Sequence, residues 1–396
     1  MRTINNRISG IRRRYLFGLA AAMALGSAHA AGVSDNEILV GTHLDLSGPA
    51  ATGSALLRNA MQMRIDEANA AGIHGRKIKL VTEDNGSQPQ MAVRAVQKLI
   101  RSDKVFAIVN SFGSGTNAAT VKMATDAGVI VFAPWAASSV LQKVSGNSPL
   151  LFTMVQNYDT TTATGLSWAI KNWGASRIGV IYQEGPLGEL MRAGVNTAMK
   201  QANLTIAAEA AYKVGDIDFS SQVAKMKAAN VDLIFAGTVV RETVGVMSEV
   251  KKLNWTGVKV LTGIPGRNSV VTTVGKDTVE GLYGIGAWKL YDPSATTDPA
   301  AAKFFAGYKA RFGQEADENA ASAYSSMGWF IDALKATGRD LTTEKFAKTL
   351  QGVTHEDFTT YTRLGWKGNH AMPEQISINQ VKGGRWVQIA LPAEGK

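Results

Sequence analysis

The chain has 396 residues, 45% hydrophobic and 19% charged, which suits a soluble globular protein with room for two domains. Its formal net charge is +10, but removing the arginines of the first 30 residues leaves 37 basic against 32 acidic residues. These are spread along the chain with no basic run that could follow a nucleic acid. The absence of cysteine excludes disulfides, a thiol nucleophile and lipoprotein-type anchoring.

In chain order, Arg2, Arg7, Arg12, Arg13 and Arg14, with no acid, precede the apolar run YLFGLAAAMALG. SAHA follows, with Ala28 and Ala30 at the small-residue positions of a signal-peptidase site. Residues 1–30 therefore read as a secretory signal peptide cleaved after Ala30. The apolar run, about a dozen residues, is too short to span a bilayer. RRRYLFG also resembles a twin-arginine signal, so the export route stays open. Export without an anchor points to the periplasm of a Gram-negative cell.

Short β-rich runs then alternate with helical patterns. EILVGTHLD (37–45) and KIKLVTED (77–84) read as strands. Between them a helix from Ala55 to Ala71 carries Leu57, Met61, Ile65 and Ala68 on one face and stops at Gly72. Ser87 and Gln90 have capping-box spacing before MAVRAVQKLI, where Val93, Val96 and Ile100 share a face. KVFAIVN and GVIVFAP are two further strands. The pattern restarts with SRIGVIYQ (176–183), TIAAEAAYK (205–213), VDLIFAGT (231–238) and KVLTGI (259–264). Amphipathic helices follow from Ala301 onward, and the chain ends in β-like FTTYTRLGW and SINQVKGGRWVQIA. Such alternation predicts two doubly wound parallel α/β units. The C-terminal pieces complete both of them, which requires several crossings between the units.

Gly113-x-Gly115-x-x-Ala118 has dinucleotide-turn spacing, but it follows the third strand, and the next strand ends Ala133-Pro134-Trp135 with no ribose-binding acid. No nucleophile elbow, HExxH or complete calcium loop is present, so neither an enzyme, a metal nor a cofactor is expected. Asp216 and Asp218 suit a turn and helix cap. Trp135, Trp288, Tyr182 and Tyr324 are divided between core and ligand contact. What survives is anion binding: two glycines, the hydroxyls of Ser114 and Thr116, and free N–H groups at a helix start suit a carboxylate. Helix capping by either hydroxyl is compatible with that role.

These stretches together resemble the type I periplasmic binding proteins of ABC transporters, in the leucine/isoleucine/valine-binding branch. The marks are the SGP turn before the first helix, SFGSGTNAA, VIVFAPWAASS, RIGVIYQEGPLGEL and DFSSQVAKMKAANVDLIF. The resemblance implies two lobes joined by three crossovers near 153–156, 286–289 and 361–364. Lobe 1 would take 36–155 and 289–361, and lobe 2 would take 156–288 and 362–396. It implies a small-molecule ligand with a carboxylate, an ABC permease and ATPase as partners, and a monomer. The first-lobe candidates are Gly113, Ser114, Gly115, Thr116, Trp135, Ala136, Ala137 and Ser138. The second lobe would contribute Tyr182 to Leu187, Thr238 to Arg241, and Pro265 to Arg267.

The departures carry the specificity. Where amino-acid binders of the family place an acid on the ligand's ammonium, this chain reads Ile264-Pro265-Gly266, and their tyrosine's position falls near Leu187. A buried ammonium without a partner is costly. Glu184 or Glu242 could stand in, so a branched-chain or other amino acid remains the second reading. Arg241 and Arg267 suit a second anionic or polar end on the ligand, and Trp135 suits a flat face, so a small aromatic or aliphatic acid is expected first. A sensor that reports to a receptor instead of a permease fits the same residues.

Overall fold

A computed structural model describes residues 30–48, 50–213, 215–291, 296–366 and 375–392. The expected signal peptide, apart from Ala30, lies outside them. The first sheet is built by β1 (Glu37–Leu44), β2 (Lys77–Asp84), β3 (Ala107–Val109), β4 (Ile130–Phe132) and β5 (Leu151–Phe152). They run parallel in the order β2-β1-β3-β4-β5, with α1 (Ala51–Ala71), α2 (Pro89–Arg101), α3 (Ser114–Asp126) and α4 (Val140–Val144) as crossovers. Helix α1 buries Leu57, Met61, Ile65 and Ala68 as its spacing requires, and ends where Gly72 takes a φ of 74°. Helix α2 buries Ala92, Ala95, Val96 and Leu99, a face rotated by one residue from the expected Val93–Val96–Ile100 series.

The capping box at Ser87 does not form. Ser87 takes a φ of 56°, and its hydroxyl donates to Asp45 at 2.6 Å instead. Asp45 also accepts from the backbone N–H groups of Gly48 (2.5 Å) and Ala50 (2.8 Å), which ties the first turn to the second. Burial alone would raise the Asp45 pKa; the donors from Ser87, Ala50 and Gly48 outweigh it and hold the carboxyl below its ordinary range.

The second sheet has the order β12-β11-β10-β9-β8-β6-β7. Its parallel strands are β6 (Ile178–Gln183), β7 (Ala208–Tyr212), β8 (Leu233–Gly237), β9 (Lys259–Thr262) and β10 (Tyr283–Gly286). Helix α5 (Tyr158–Trp173) leads into β6, and α6 (Pro186–Gln201), α7 (Ser220–Ala228), α8 (Val240–Lys252) and α9 (Ser269–Gly275) run between the strands. The chain then returns to the first sheet: α10 (Pro299–Phe312), α11 (Glu318–Thr337) and α12 (Thr343–Gly352) pack in its core. It ends as an antiparallel pair, β11 (Ser377–Lys382) and β12 (Arg385–Ala390), added to β10.

FTTYTRLGW is not a strand. Its one β-bridge joins Leu364 to His355, and Leu364 and Trp366, beyond the expected switch at 361, pack in the first core. The aromatic content that suggests a strand serves stacking here: Trp366 lies 3.8 Å from Trp329, centroid to centroid. The Trp366 indole also donates to the Thr153 carbonyl at 2.7 Å. Lys289 N–H donates to Thr359 (3.0 Å) and the Tyr361 hydroxyl to the Trp288 carbonyl (3.0 Å), so the three segments that pass between the sheets are bonded to one another. No helix among the described residues is long and apolar enough to cross a membrane.

Candidate functional site

Parallel strands leave their C-terminal ends as the natural place for a ligand. In the first sheet these ends are held under backbone strain. Asn110 after β3 and Ala133 after β4 have φ values of 48° and 50°. The loops beyond them are paired: Trp135 N–H donates to Ser111 (2.6 Å) and Gly113 N–H to Trp135 (3.0 Å). Asn117 braces the turn through its amide, which donates to the carbonyls of Ser111 (3.0 Å) and Gly113 (2.9 Å).

Gly113 has a φ of 99°, and a Cβ there would stand 2.6 Å from the Thr116 hydroxyl. That hydroxyl is buried and donates to the carbonyls of Phe112 and Gly113, so it does not cap the helix and its proton is already committed. No side chain caps α3. The first helical bond runs from Asn117 to Gly113, which leaves the N–H groups of Ser114, Gly115 and Thr116 without a helical acceptor. Ser114 is half-buried, and Gly115 is exposed with open space above it. Ala136, Ala137 and Ser138 are buried, and the Ala137 carbonyl accepts from Tyr158 N–H at 3.3 Å.

In the second lobe Tyr182 and Leu187 pack at the edge of a core cluster, and the Arg192 guanidinium lies 5.7 Å over the Tyr182 ring. Thr238 is fully buried, its hydroxyl bonded to Thr243 at 2.6 Å. Arg241 is exposed and pairs with Glu242 at 3.1 Å. Glu242 is buried, with its other oxygen unpartnered, while Glu184 is exposed. Pro265 sits half-buried in a 3-10 turn (Ile264–Gly266) after β9, and Arg267 is buried.

A cavity of about 240 Å³ lies between the two sheets. Of the expected residues it takes in Trp135, Pro265 and Arg267; the 113–116 loop, Ala136–Ser138, Tyr182, Leu187, Thr238 and Arg241 are not on its wall. It adds Tyr158, Trp288, Glu318 and Asn319. Burial pushes the Tyr158 phenol up to about 12, so it stays a neutral donor. Glu318 reaches across from α11 to accept from Ser269 N–H (3.0 Å) and the Ser269 hydroxyl (2.7 Å).

Trp288 was legible as an aromatic divided between core and contact. Glu318 and Asn319 carry no sequence signal of a site; they arrive because α11 returns to the first lobe. Tyr324, weighed alongside Trp288, instead packs beside Phe304 and hydrogen-bonds Glu67. A larger hollow of about 490 Å³, by Trp255, Lys259 and Tyr283, lies at the starts of β9 and β10, the opposite end from the convergent loops.

Ser325, His355 and Asp357 approach one another, but the hydroxyl (2.9 Å) and the carboxylate (3.4 Å) both meet the same ring nitrogen, Nε2. A proton relay needs opposite nitrogens, so this cluster locks the segment against Trp329, on which His355 stacks. Among the described residues no group of three acidic, histidine or cysteine side chains could hold a metal ion.

Residues 37–385 match the family described as periplasmic binding protein. The Leu/Ile/Val-binding protein BraC3 of Rhizobium johnstonii is 25% identical over 202 residues, 51% of this chain. That match spans about half, 54%, of the relative's length. Among solved structures, the branched-chain amino acid transporter substrate binding protein LivJ from Streptococcus pneumoniae, in complex with isoleucine, superposes with a TM-score of 0.73 at 22% identity, covering 89% of this chain and 100% of that one. A solute binding protein of an ABC transporter from Rhodopseudomonas palustris BisB5, in complex with 3,4-dihydroxy benzoic acid, gives 0.77 at 21%, covering 91% and 98%.

Proposed function

The chain belongs to the periplasmic binding protein family, and from that premise we propose that it captures a small carboxylate-bearing solute between its lobes for an ABC permease and ATPase. We take lobe 1 as 36–155 with 289–361 and lobe 2 as 156–288 with 362–396, except that Leu364 and Trp366, which pack in the first core, go with lobe 1. Residues 1–30 serve as the export signal, and the site of action is the periplasm. One observation carries the reading: the cavity between the sheets draws its walls from both lobes and from two of the crossing segments. A solute there touches both halves at once, so it stabilises the closed arrangement by its higher affinity for it. The solute reaches past Trp135 toward the free N–H groups at the start of α3 and the half-buried Ser114 hydroxyl, which are not on the cavity wall itself.

Trp135, Tyr158 and Trp288 make the cavity aromatic, which favours an organic acid over a branched-chain amino acid. Thermal-shift screening of the mature protein tests this preference. Aromatic or aliphatic acids are expected to raise the melting temperature more than leucine or valine; a large shift with leucine or valine and none with the acids would overturn it. Ser114→Ala is expected to weaken binding by about 1.5–3 kcal/mol, the worth of a hydrogen bond to a charged group. An unchanged affinity by calorimetry would remove the 113–116 loop from the site.

A further inference from the structure

Arg267 combines features that a structural arginine does not need. It is 4% exposed, and its side chain lies in a trough along β10. Gly284 and Gly286 form that trough: a Cβ at Gly284 would stand 2.5 Å from the Arg267 Cγ, and one at Gly286 would overlap the guanidinium. Of its guanidinium nitrogens only Nη2 has a partner among the described residues, the Trp288 carbonyl. Nε is buried with none. No carboxylate of the described residues lies within ion-pair reach, although Arg267 lines the cavity between the lobes together with Glu318. A buried cation left without an anion is strongly unfavourable, so the missing charge must come from elsewhere.

We propose that Arg267 is the anchor of the solute's carboxylate and the residue that sets its class: a small monocarboxylate with a flat or apolar body and no ammonium group. This rests on the solute-binding reading above. The guanidinium supplies a planar fork of donors matched to a carboxylate. Trp135, Trp288 and Pro265 offer flat, apolar walls to the rest of the molecule. An ammonium would have to share the cavity's one acid, Glu318, each of whose oxygens already accepts one bond from Ser269.

The test uses the mature chain, stripped of ligand by unfolding and refolding, with benzoate, 3,4-dihydroxybenzoate, isoleucine and neutral benzamide as probes in calorimetry. Wild type is expected to bind an aromatic acid, and Arg267→Met to weaken it by about 30-fold, the value of lost charge-assisted bonds. Arg267→Lys keeps the charge without the fork and falls between the two. Benzamide is expected to bind wild type no better than Arg267→Met binds the acid. Without ligand, Arg267→Met is expected to melt no lower than wild type, because it removes an unpaired buried charge; a purely structural arginine would leave a less stable protein. Unchanged acid affinity in Arg267→Met overturns the anchor while leaving solute binding intact. A wild-type preference for isoleucine overturns the class. Wild type that binds none of the acids or isoleucine overturns both the proposal and the reading beneath it.

Discussion

Replacing Gly188 by alanine is expected to cost about 3 kcal/mol of stability, at the upper end for an overpacked interior. Gly188 sits in the first turn of α6, and a Cβ there would overlap the Gln183 carbonyl oxygen, with the Gln183 carbonyl carbon 2.8 Å and its nitrogen 3.0 Å away. All three atoms are backbone of the last residue of β6, so no rotamer change relieves the clash. Helix α6 must lift from the strand, and the two residues between them, 184 and 185, move with it. Urea denaturation should show a lower midpoint at unchanged slope. A loss below about 1 kcal/mol would mean that the helix slides without strain. Gly115→Ala is the internal control: nothing lies within 4 Å of its added Cβ, and stability should hold or rise by up to about 1 kcal/mol, since alanine loses less chain entropy in a helix.

Stability is also expected to fall by about 3 kcal/mol between pH 7 and pH 4 through His43 alone. The ring is 1% exposed, and its Nδ1 stands 2.9 Å from the Asn85 amide nitrogen, which donates to it. Burial lowers its pKa from 6.5 to about 4. Below pH 6.5 the unfolded chain takes up a proton that the folded chain refuses until about pH 4, so acid favours unfolding across that window. The contribution is fully present above pH 6.5 and lost as pH falls. Asp45, held below its ordinary value, adds its own loss only at lower pH, as its carboxylate is forced to protonate. Urea midpoints at pH 7 and pH 4.5 for wild type and His43→Gln measure the difference. Equal pH dependence in both proteins would show that His43 titrates normally in the fold.

Of the residues read from the sequence as ligand contacts, Trp135, Pro265 and Arg267 line the cavity, and the loop signal could be read because its chemistry is local. Two glycines, a serine and a helix start announce an anion-binding loop wherever they stand. The same locality misled at Ser87: capping-box spacing is necessary, but the Asp45 carboxylate, 42 positions earlier, takes the hydroxyl. Thr116 is a similar case, since its hydroxyl turns back to Phe112 and Gly113. Of the two arginines read as candidates, Arg241 is exposed beside Glu242, and Arg267 is buried without an acid. Arg241 has an acid as its next residue and Arg267 does not, but the burial of Arg267 depends on the distant YGIG, whose glycines leave room on β10 for one guanidinium.

By itself the sequence determined the family, the two α/β units, the buried face of α1 and the loop that presents free N–H groups. Each of these is encoded in patterns a few residues long, where propensity and hydrophobic period decide the outcome. Only the tertiary structure decided which polar groups meet in the cavity. Trp135, Arg267, Trp288 and Glu318 lie far apart along the chain and converge because three crossing segments bring α11 and β10 to face the first sheet's loops. Burial and charge pairing across such distances depend on how both lobes close the space between them, which no local pattern records.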